Sequence, residues 1–322
     1  MSLKNLLKKK SENDFETLWQ DRYSDRLDVR GLVDKRTGQK FIGLIFKEKD
    51  PKKRKDFFEN RKRSEDIRSF VAKDYQGETF LPEIFKGRDE VILTPYAGQS
   101  FTDNLYNSLS SEEQRKAEKD LATFLNHMHQ KAYATDPFLH NVNCFDKLKE
   151  HMTPLSANLD KNLDEILEIW KNVADTRTLA QLRKLVNEFK GRDKSDEKSV
   201  LIHNDMCDDN VLYDQQSKKL AVIDFEYARI GNVYDDFCHF GGIGFPRKFI
   251  TGVIKEYNKL TKQSKHSCPI SMKKLEMFWK IAILNNQACW VKDWGRTPEE
   301  AYKIFIQNST KLNPQRQKNE GR

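Results

Sequence analysis

The chain has 322 residues, of which 37% are hydrophobic and 33% charged, a composition typical of a soluble globular protein with one large domain or two moderate ones. It contains no run of about 18 apolar residues, which excludes a hydrophobic membrane-spanning helix, and its amino-terminal apolar stretch is too short for a signal peptide. The 57 basic and 49 acidic residues leave a net charge of +8. The basic runs lack the interleaved aromatic residues of single-strand binders, so nucleic acid is not an expected partner.

The five cysteines are dispersed along the chain and form no Cys-x-x-Cys pair. Zinc sites and disulfide frameworks need closely spaced or paired cysteines, so neither is expected. Free cysteines are typical of a reducing compartment, and the sequence therefore predicts a cytoplasmic location.

The first hundred residues predict strands with one helix between them. Residues 41–46 form a short apolar run, and the turn-forming residues 35–38 precede it, which predicts a hairpin. The charged segment 51–75 carries a few apolar residues at helical spacing. A further strand is expected over residues 90–94.

From residue 110 onward, helical patterns dominate. Ser110 and Glu113 have the spacing of a capping box, in which each side chain accepts a hydrogen bond from the other residue's N–H group. Two short apolar runs, 211–214 and 220–224, are joined by a polar turn and predict a hairpin. Residues 271–307 are helical in pattern and rich in tryptophan.

A small strand-rich half followed by a large helical half predicts an α+β fold with two lobes. We expect an amino-terminal nucleotide-binding lobe over residues 1–97 and a carboxy-terminal catalytic and acceptor-binding lobe over residues 98–312. The polar tail 313–322 is expected to lie outside both. Ligands commonly bind in clefts between such lobes.

The chemistry is concentrated in one motif. Asp205 is followed five residues later by Asn210, and the predicted hairpin then leads to Asp224. Phosphoryl transfer needs this combination, because one carboxylate accepts the acceptor's hydroxyl proton while an amide oxygen and a second carboxylate hold Mg²⁺. The spacing matches the kinase catalytic loop His-x-Asp-x-x-x-x-Asn, in which His203 is expected to brace the backbone. The motif predicts a phosphoryl-transfer loop with Asp205 as base and Asn210 and Asp224 as Mg²⁺ ligands.

Residues 202–205 and 223–228 resemble the choline/ethanolamine kinase family, which belongs to a wider group containing the aminoglycoside phosphotransferases. The segment 234–240 is similar to the stretch that follows in that family, and the match extends over roughly residues 200–305. The resemblance implies a protein-kinase-like fold. It also implies ATP-dependent phosphorylation of a small-molecule alcohol, namely choline, ethanolamine or a related amino alcohol.

In the amino-terminal half, the resemblance implies that Lys47 binds the α- and β-phosphates. Its helix partner would be Glu65 or Glu59, and the sequence leaves both open. The family's glycine-rich phosphate loop is not visible, because residues 21–26 contain no glycine. The sequence therefore does not identify a loop that would hold the phosphates of the nucleotide.

The segment around residue 95 resembles the hinge that binds adenine. A hinge needs a carbonyl acceptor at one residue and an N–H donor two residues further on. Pro95 can supply the carbonyl although it lacks an N–H group, and Ala97 can supply the donor.

A late helical segment suggests the acceptor pocket. Trp290 and Trp294 share a helix face, and with Trp279 and Tyr234 they would form an aromatic wall for a quaternary ammonium group; the alternative is that these aromatic residues are core. A carboxylate at Asp235 or Asp293 would add a negative charge. The candidate acceptor-binding residues are Asp205, Glu226, Asp235, Trp290 and Trp294.

Three alternatives to an amino-alcohol kinase stay open. The first is a kinase whose acceptor is an aminoglycoside or a sugar. The second is a nucleotide-binding interaction protein without turnover, which the missing glycine loop favours and the intact motif of Asp205, Asn210 and Asp224 opposes. The third, a basic nucleic-acid binder, has the least support.

Overall fold

The computed structural model describes residues 14–24, 27–47, 49–86, 92–131, 159–195, 197–240, 245–262 and 269–311. The strands in these residues are β1 (Phe15–Ser24), β2 (Leu27–Asp34), β3 (Lys40–Phe46), β4 (Phe85–Lys86), β5 (Ile92–Pro95), β6 (Gln99–Ser100), β7 (Ser199–Ile202), β8 (Val211–Asp214), β9 (Lys219–Val222) and β10 (Arg229–Asn232). The helices are α1 (Pro51–Ala72), α2 (Asp103–Ser108), α3 (Ser111–Lys131), α4 (Leu159–Lys171), α5 (Thr176–Lys190), α6 (Val233–Phe240), α7 (Arg247–Thr261), α8 (Met272–Trp294) and α9 (Pro298–Lys311).

The chain divides into two compact units, and the division is not a single cut. The first unit combines Met1–Ser100 with Asn210–Tyr227, and the second combines Phe101–Asp209 with Ala228–Arg322. The hairpin β8–β9 groups with the first unit because β8 pairs with β6. The expected tail 313–322 lies outside the described residues.

The first unit is built on an antiparallel sheet of order β1-β2-β3-β5-β4. The predicted turn between β2 and β3 is confirmed: the Asp34 carboxylate accepts hydrogen bonds from the N–H groups of Arg36 and Thr37 at 2.9 and 3.0 Å. Gly38 follows with φ +71°, a conformation that glycine adopts without strain. The apolar core on this sheet comprises Phe15, Leu32, Phe41, Leu93 and the partly buried Ile45.

Helix α1 confirms the helix expected over residues 51–75. Its start is fixed by Asp50, whose carboxylate accepts from the N–H groups of Lys52 and Lys53, and by Pro51 at the first position. Ile67 and Val71 are fully buried, whereas most of the helix surface is charged. The helix therefore packs through a narrow apolar stripe, and its exposed surface carries many lysine and arginine side chains.

The hairpin β8–β9 has the register Val211↔Val222 to Asp214↔Lys219, as its two apolar runs predicted. Gly98 lies against it with φ +117°, and a Cβ atom there would be 2.3 Å from the backbone of Tyr213. A side chain at residue 98 would therefore prevent β6 from pairing with β8.

The second unit is mainly helical, with β7 and β10 forming a short antiparallel ladder. The predicted capping box is confirmed: Ser110 N–H donates to the Glu113 carboxylate at 3.0 Å, and Glu113 N–H donates to Ser110 Oγ at 3.3 Å. Trp170, Tyr257 and other large side chains fill the core. The small antiparallel sheet and the larger helical part confirm the predicted α+β class. Among the described helices, none has the length and apolar character that crossing a membrane requires.

Candidate active site

In the second unit, the backbone that leads into Asp205 is held by one buried carboxylate. Asp236 on α6 accepts from the N–H group of His203 at 3.0 Å and from that of Asn204 at 2.7 Å. Asn204 has φ +66°, a left-handed conformation that needs such external support. Asp205 is half-buried at the end of this anchored stretch, and its carbonyl accepts from Cys207 N–H at 3.0 Å. The anchored backbone fixes the direction from which the Asp205 side chain projects.

The anchor itself is part of a buried network. His129 Nε2 lies 3.0 Å from Asp236 Oδ2, and His129 Nδ1 lies 2.9 Å from Tyr257 Oη. Burial raises the pKa of Asp236, but the hydrogen bond and charge of His129, the field of His203 and the N–H of Asn204 outweigh it and keep that pKa below its ordinary value. The sequence interpretation did not single out Asp236, His129 or Tyr257, and the only local signal was the paired Asp235-Asp236.

Asp235, expected as an acceptor-binding carboxylate, is buried with 6% of its surface exposed. Its Oδ2 lies 3.7 Å from Arg229 Nη2. Burial raises the pKa of Asp235 to about 7; Arg229 and the Asn232 N–H oppose this, and the neighbouring charges of Asp236 and Glu197 add to it. The structure therefore gives this residue the surroundings of a core group.

The raised pKa of Asp235 makes stability depend on pH. Because the folded state keeps this proton up to about pH 7 while the unfolded chain loses it near pH 4, the residue lowers stability as pH rises through that window. We expect the unfolding free energy of Asp235→Asn, relative to the wild type, to increase by about 1.4 kcal/mol for each pH unit between pH 5 and about pH 7 and to level off above it. Urea unfolding at four pH values measures it, and a constant difference would contradict it.

In the first unit, the hairpin brings Asn210 and Asp224 to the same end. Ile223 N–H donates to the Asn210 carbonyl at 3.0 Å, immediately beyond the Val211↔Val222 pair. Asp224 then takes φ +62° and turns the chain into the single 3₁₀ turn Phe225–Tyr227. An amide and a carboxylate at the base of one hairpin fit Mg²⁺, which takes few protein ligands and completes its shell with water and phosphate oxygens.

An arginine that the sequence interpretation missed contacts these carboxylates. Arg61 on α1 places Nη1 3.0 Å from Asp224 Oδ1 and Nη2 3.2 Å from Glu226 Oε2. Burial lowers the pKa of Arg61. The charges of Asp224 and Glu226 raise it by more, so the pKa lies above its ordinary value. Burial and the Asp224 charge raise the pKa of Glu226. The only signal in the sequence was a basic run on α1, which identifies no particular member.

The structure gives Lys47 and Glu65 separate partners. Lys47 Nζ lies 2.5 Å from the buried Asp28 Oδ2, a residue that the sequence interpretation did not select. Glu65 receives two hydrogen bonds of 2.8 Å from Arg68 and a third, of 2.9 Å, from Ile84 N–H. The alternative partner, Glu59, pairs with Lys55 at 3.7 Å on the exposed face of α1. Lys47, which follows β3, therefore pairs with neither Glu65 nor Glu59 of α1 in this structure.

The hinge-like segment continues β5. Tyr96 N–H donates to the Lys40 carbonyl at 3.1 Å, which uses that group in the sheet. Strand alternation places the neighbouring Pro95 carbonyl on the opposite side from β3, and Ala97 follows the end of β5. Where the family has its glycine-rich loop, β1 and β2 pair as far as Ser24↔Leu27, and residues 25 and 26 lie outside the described residues.

Two of the four aromatic residues considered for an ammonium pocket belong to the core. Trp279 is 1% exposed and its Nε1 donates to the Phe237 carbonyl at 2.7 Å. Tyr234 is fully buried and stacks on Phe278 with ring centroids 4.8 Å apart. Trp290 and Trp294 lie on α8, and their side chains, like that of Asp293, are outside the described part of the structure.

Comparison with known proteins adds a family match. A model of the family described as "Phosphotransferase enzyme family" (APH) matches residues 79–263, which is more than half of the chain. No curated protein matches the sequence.

Several solved structures share the fold. An aminoglycoside phosphotransferase, APH(2'')-IIa in a streptomycin–ATP complex, is 17% identical with a TM-score of 0.58, covering 96% of this chain and 93% of that one. An ethanolamine kinase of Plasmodium vivax is 12% identical with a TM-score of 0.55 (94% and 83% covered). A type I macrolide 2'-phosphotransferase is 13% identical with a TM-score of 0.53 (93% of each chain covered). At these identities the likeness shows a common, protein-kinase-like fold.

Proposed function

We propose that this chain, which belongs to the phosphotransferase enzyme family, transfers the terminal phosphoryl group of ATP to the hydroxyl of a small amino alcohol of the choline or ethanolamine type. The observation that carries the proposal is the hairpin, in which the hydrogen bond from Ile223 N–H to the Asn210 carbonyl brings Asn210 and Asp224 to the same end. The motif contains one candidate base and two metal ligands, the minimum set for phosphoryl transfer.

Each residue of the motif has a distinct task in this proposal. Asp205 accepts the proton of the acceptor hydroxyl as the oxygen attacks, and its anchored backbone keeps the carboxylate oriented for that transfer. Asn210 and Asp224 hold the cation. When bound, Mg²⁺ neutralises the charge that develops on the phosphate oxygens. Lys47 is proposed to contact the phosphates once it is released from Asp28.

The acceptor assignment has weaker support than the reaction. An amino alcohol is supported by the resemblance of residues 223–228 to choline/ethanolamine kinases and by the shared fold of an ethanolamine kinase. The carboxylate of Asp205 would supply negative charge that a cationic acceptor needs. An aminoglycoside acceptor is the second candidate, and a phosphotransferase solved with streptomycin has the same fold.

A substrate panel tests this assignment. With MgATP, we expect ADP release above the ATP-only rate for choline or ethanolamine and little for sugars or aminoglycosides. Coupled-enzyme assays measure ADP, and the Asp205→Asn variant serves as the inactive control. Activity only on aminoglycosides would replace the first acceptor with the second. No activity on any member, with ATP binding intact, would overturn the proposed function.

A further inference from the structure

Arg61 contacts the same Asp224 carboxylate that the proposed function assigns to the metal ion. Its guanidinium bridges the carboxylates of Asp224 and Glu226, with contacts of 3.0 and 3.2 Å. The Arg61 side chain is 13% exposed, and the two carboxylates are 27% and 22% exposed. This is a partly desolvated cluster of one cation and two anions, in which contacts are stronger than on an open surface.

A divalent cation at Asp224 Oδ1 and the guanidinium at its present position exclude one another. A Mg²⁺ ion lies about 2.0–2.1 Å from a ligand oxygen, whereas the Arg61 nitrogen is 3.0 Å from Asp224 Oδ1. The two positive groups would then be only a few ångströms apart, where like charges repel strongly in a partly buried site. A metal ion bound at Oδ1 must therefore displace Arg61, and one bound at Oδ2 is repelled by its charge.

Arg61 also lines a cavity that could accept its side chain away from Asp224. The cavity lies beside α1, has a volume of about 590 Å³, and its apolar side is formed by Ile84 and Ile92. In its present position, the guanidinium carbon lies 5.5 Å from the ring of Phe57, one turn earlier on α1.

The neighbouring arginine does not share this position. Arg63 Nη2 donates to the Glu226 main-chain carbonyl at 3.2 Å, and none of its described contacts involves Asp224. Burial lowers the pKa of Arg63 to about 10, and the Glu226 charge opposes this. Arg63 thus offers a control of equal charge on the same helix. It contacts the same turn through a main-chain carbonyl, whereas Arg61 contacts the side-chain carboxylates.

We propose that Arg61 is a positioning residue that holds Asp224 in the absence of metal and competes with the divalent cation for it. Metal binding is thereby coupled to release of an arginine from the turn that carries Asp224 and Glu226. The inference rests on the proposed role of Asp224 as a metal ligand, and it identifies a residue of this chain that sets the affinity of that site.

Direct metal binding tests the competition without any need for turnover. Mn²⁺ is titrated into the full-length protein without nucleotide, and free Mn²⁺ is read from its electron paramagnetic resonance signal. We expect Arg61→Ala to bind Mn²⁺ about tenfold more tightly than the wild type, because a repulsive charge is removed. Arg61→Lys, which keeps the charge, should bind as weakly as the wild type. Arg63→Ala should stay within about twofold, since its contact is to a carbonyl.

The double variant Arg61→Ala, Asp224→Asn identifies the site and should lose the tight binding. Unchanged or weaker binding in Arg61→Ala would overturn the proposal, as would equal tightening in Arg63→Ala, or no Mn²⁺ binding in any variant. Thermal unfolding monitored by circular dichroism confirms that each variant is folded. Because the readout is metal affinity, an inactive but metal-binding protein would count against the proposed function while the competition by Arg61 stands.

Discussion

Replacing Asp205 with asparagine should lower kcat by about 10²- to 10⁴-fold, the range that a positioned general base contributes. The amide has nearly the same shape as the carboxylate but cannot accept the acceptor's proton. ATP binding does not depend on this proton, so the KM for ATP should change by no more than about twofold. Steady-state kinetics over a range of ATP and acceptor concentrations separates the two parameters.

Asp209 provides the matched control, because it lies in the same loop and is exposed. The change Asp209→Asn removes the same charge from the same segment and should leave kcat within about twofold. If Asp205→Asn retained full activity, or if both variants lost activity equally, Asp205 would not be the base.

Loss of Asp236 should produce the largest change in stability. In Asp236→Ala, the N–H groups of His203 and Asn204 and the ring of His129 all lose a buried acceptor. Removing one partner from a buried charged network costs about 3–5 kcal/mol. Urea unfolding at pH 7 measures this loss, and we expect kcat to fall as well, since the backbone before Asp205 is released.

Two further variants sharpen the test. Asp236→Asn keeps one acceptor oxygen and should cost less than the alanine variant. Because the folded pKa of Asp236 is lowered, its stabilisation is present above the unfolded pKa and is lost as pH falls through the lower folded value. The difference in unfolding free energy between the wild type and Asp236→Asn should therefore become smaller only at acid pH.

Asp164 provides a surface control, because its side chain is 83% exposed. Asp164→Ala should change the unfolding free energy by less than about 0.5 kcal/mol. A change that small in Asp236→Ala would refute the role of Asp236.

The regular elements were predictable because their signals are local. The turn that holds Gly38, the capping box of Ser110 and Glu113, and the register of β8–β9 each depend on residues a few positions apart. Short-range geometry of this kind is set by side-chain chemistry and backbone preference, so sequence spacing is sufficient to identify it. The assignment of Asp205, Asn210 and Asp224 has the same origin, and their roles stay predictions.

The partners of these residues were not predictable from spacing. The contact from Arg61 to Asp224 joins positions 163 residues apart, and the one from His129 to Asp236 joins positions 107 apart. Lys47 has many acidic candidates in the sequence, and the structure selects Asp28, on the neighbouring strand β2. Nothing in a one-dimensional pattern ranks such candidates, because the ranking depends on which strand or helix packs beside which.

By itself, the sequence determined the α+β class, the main helices and hairpins, and the catalytic-loop motif, since all of these follow from local periodicity and fixed spacing. Only the tertiary structure decided that Asp236, rather than Asp235, anchors the loop, that Asp235 is buried beside Arg229, and that Arg61 sits at Asp224. The physical reason is that burial and charge pairing depend on distances in space, and folding brings together groups that the chain keeps far apart.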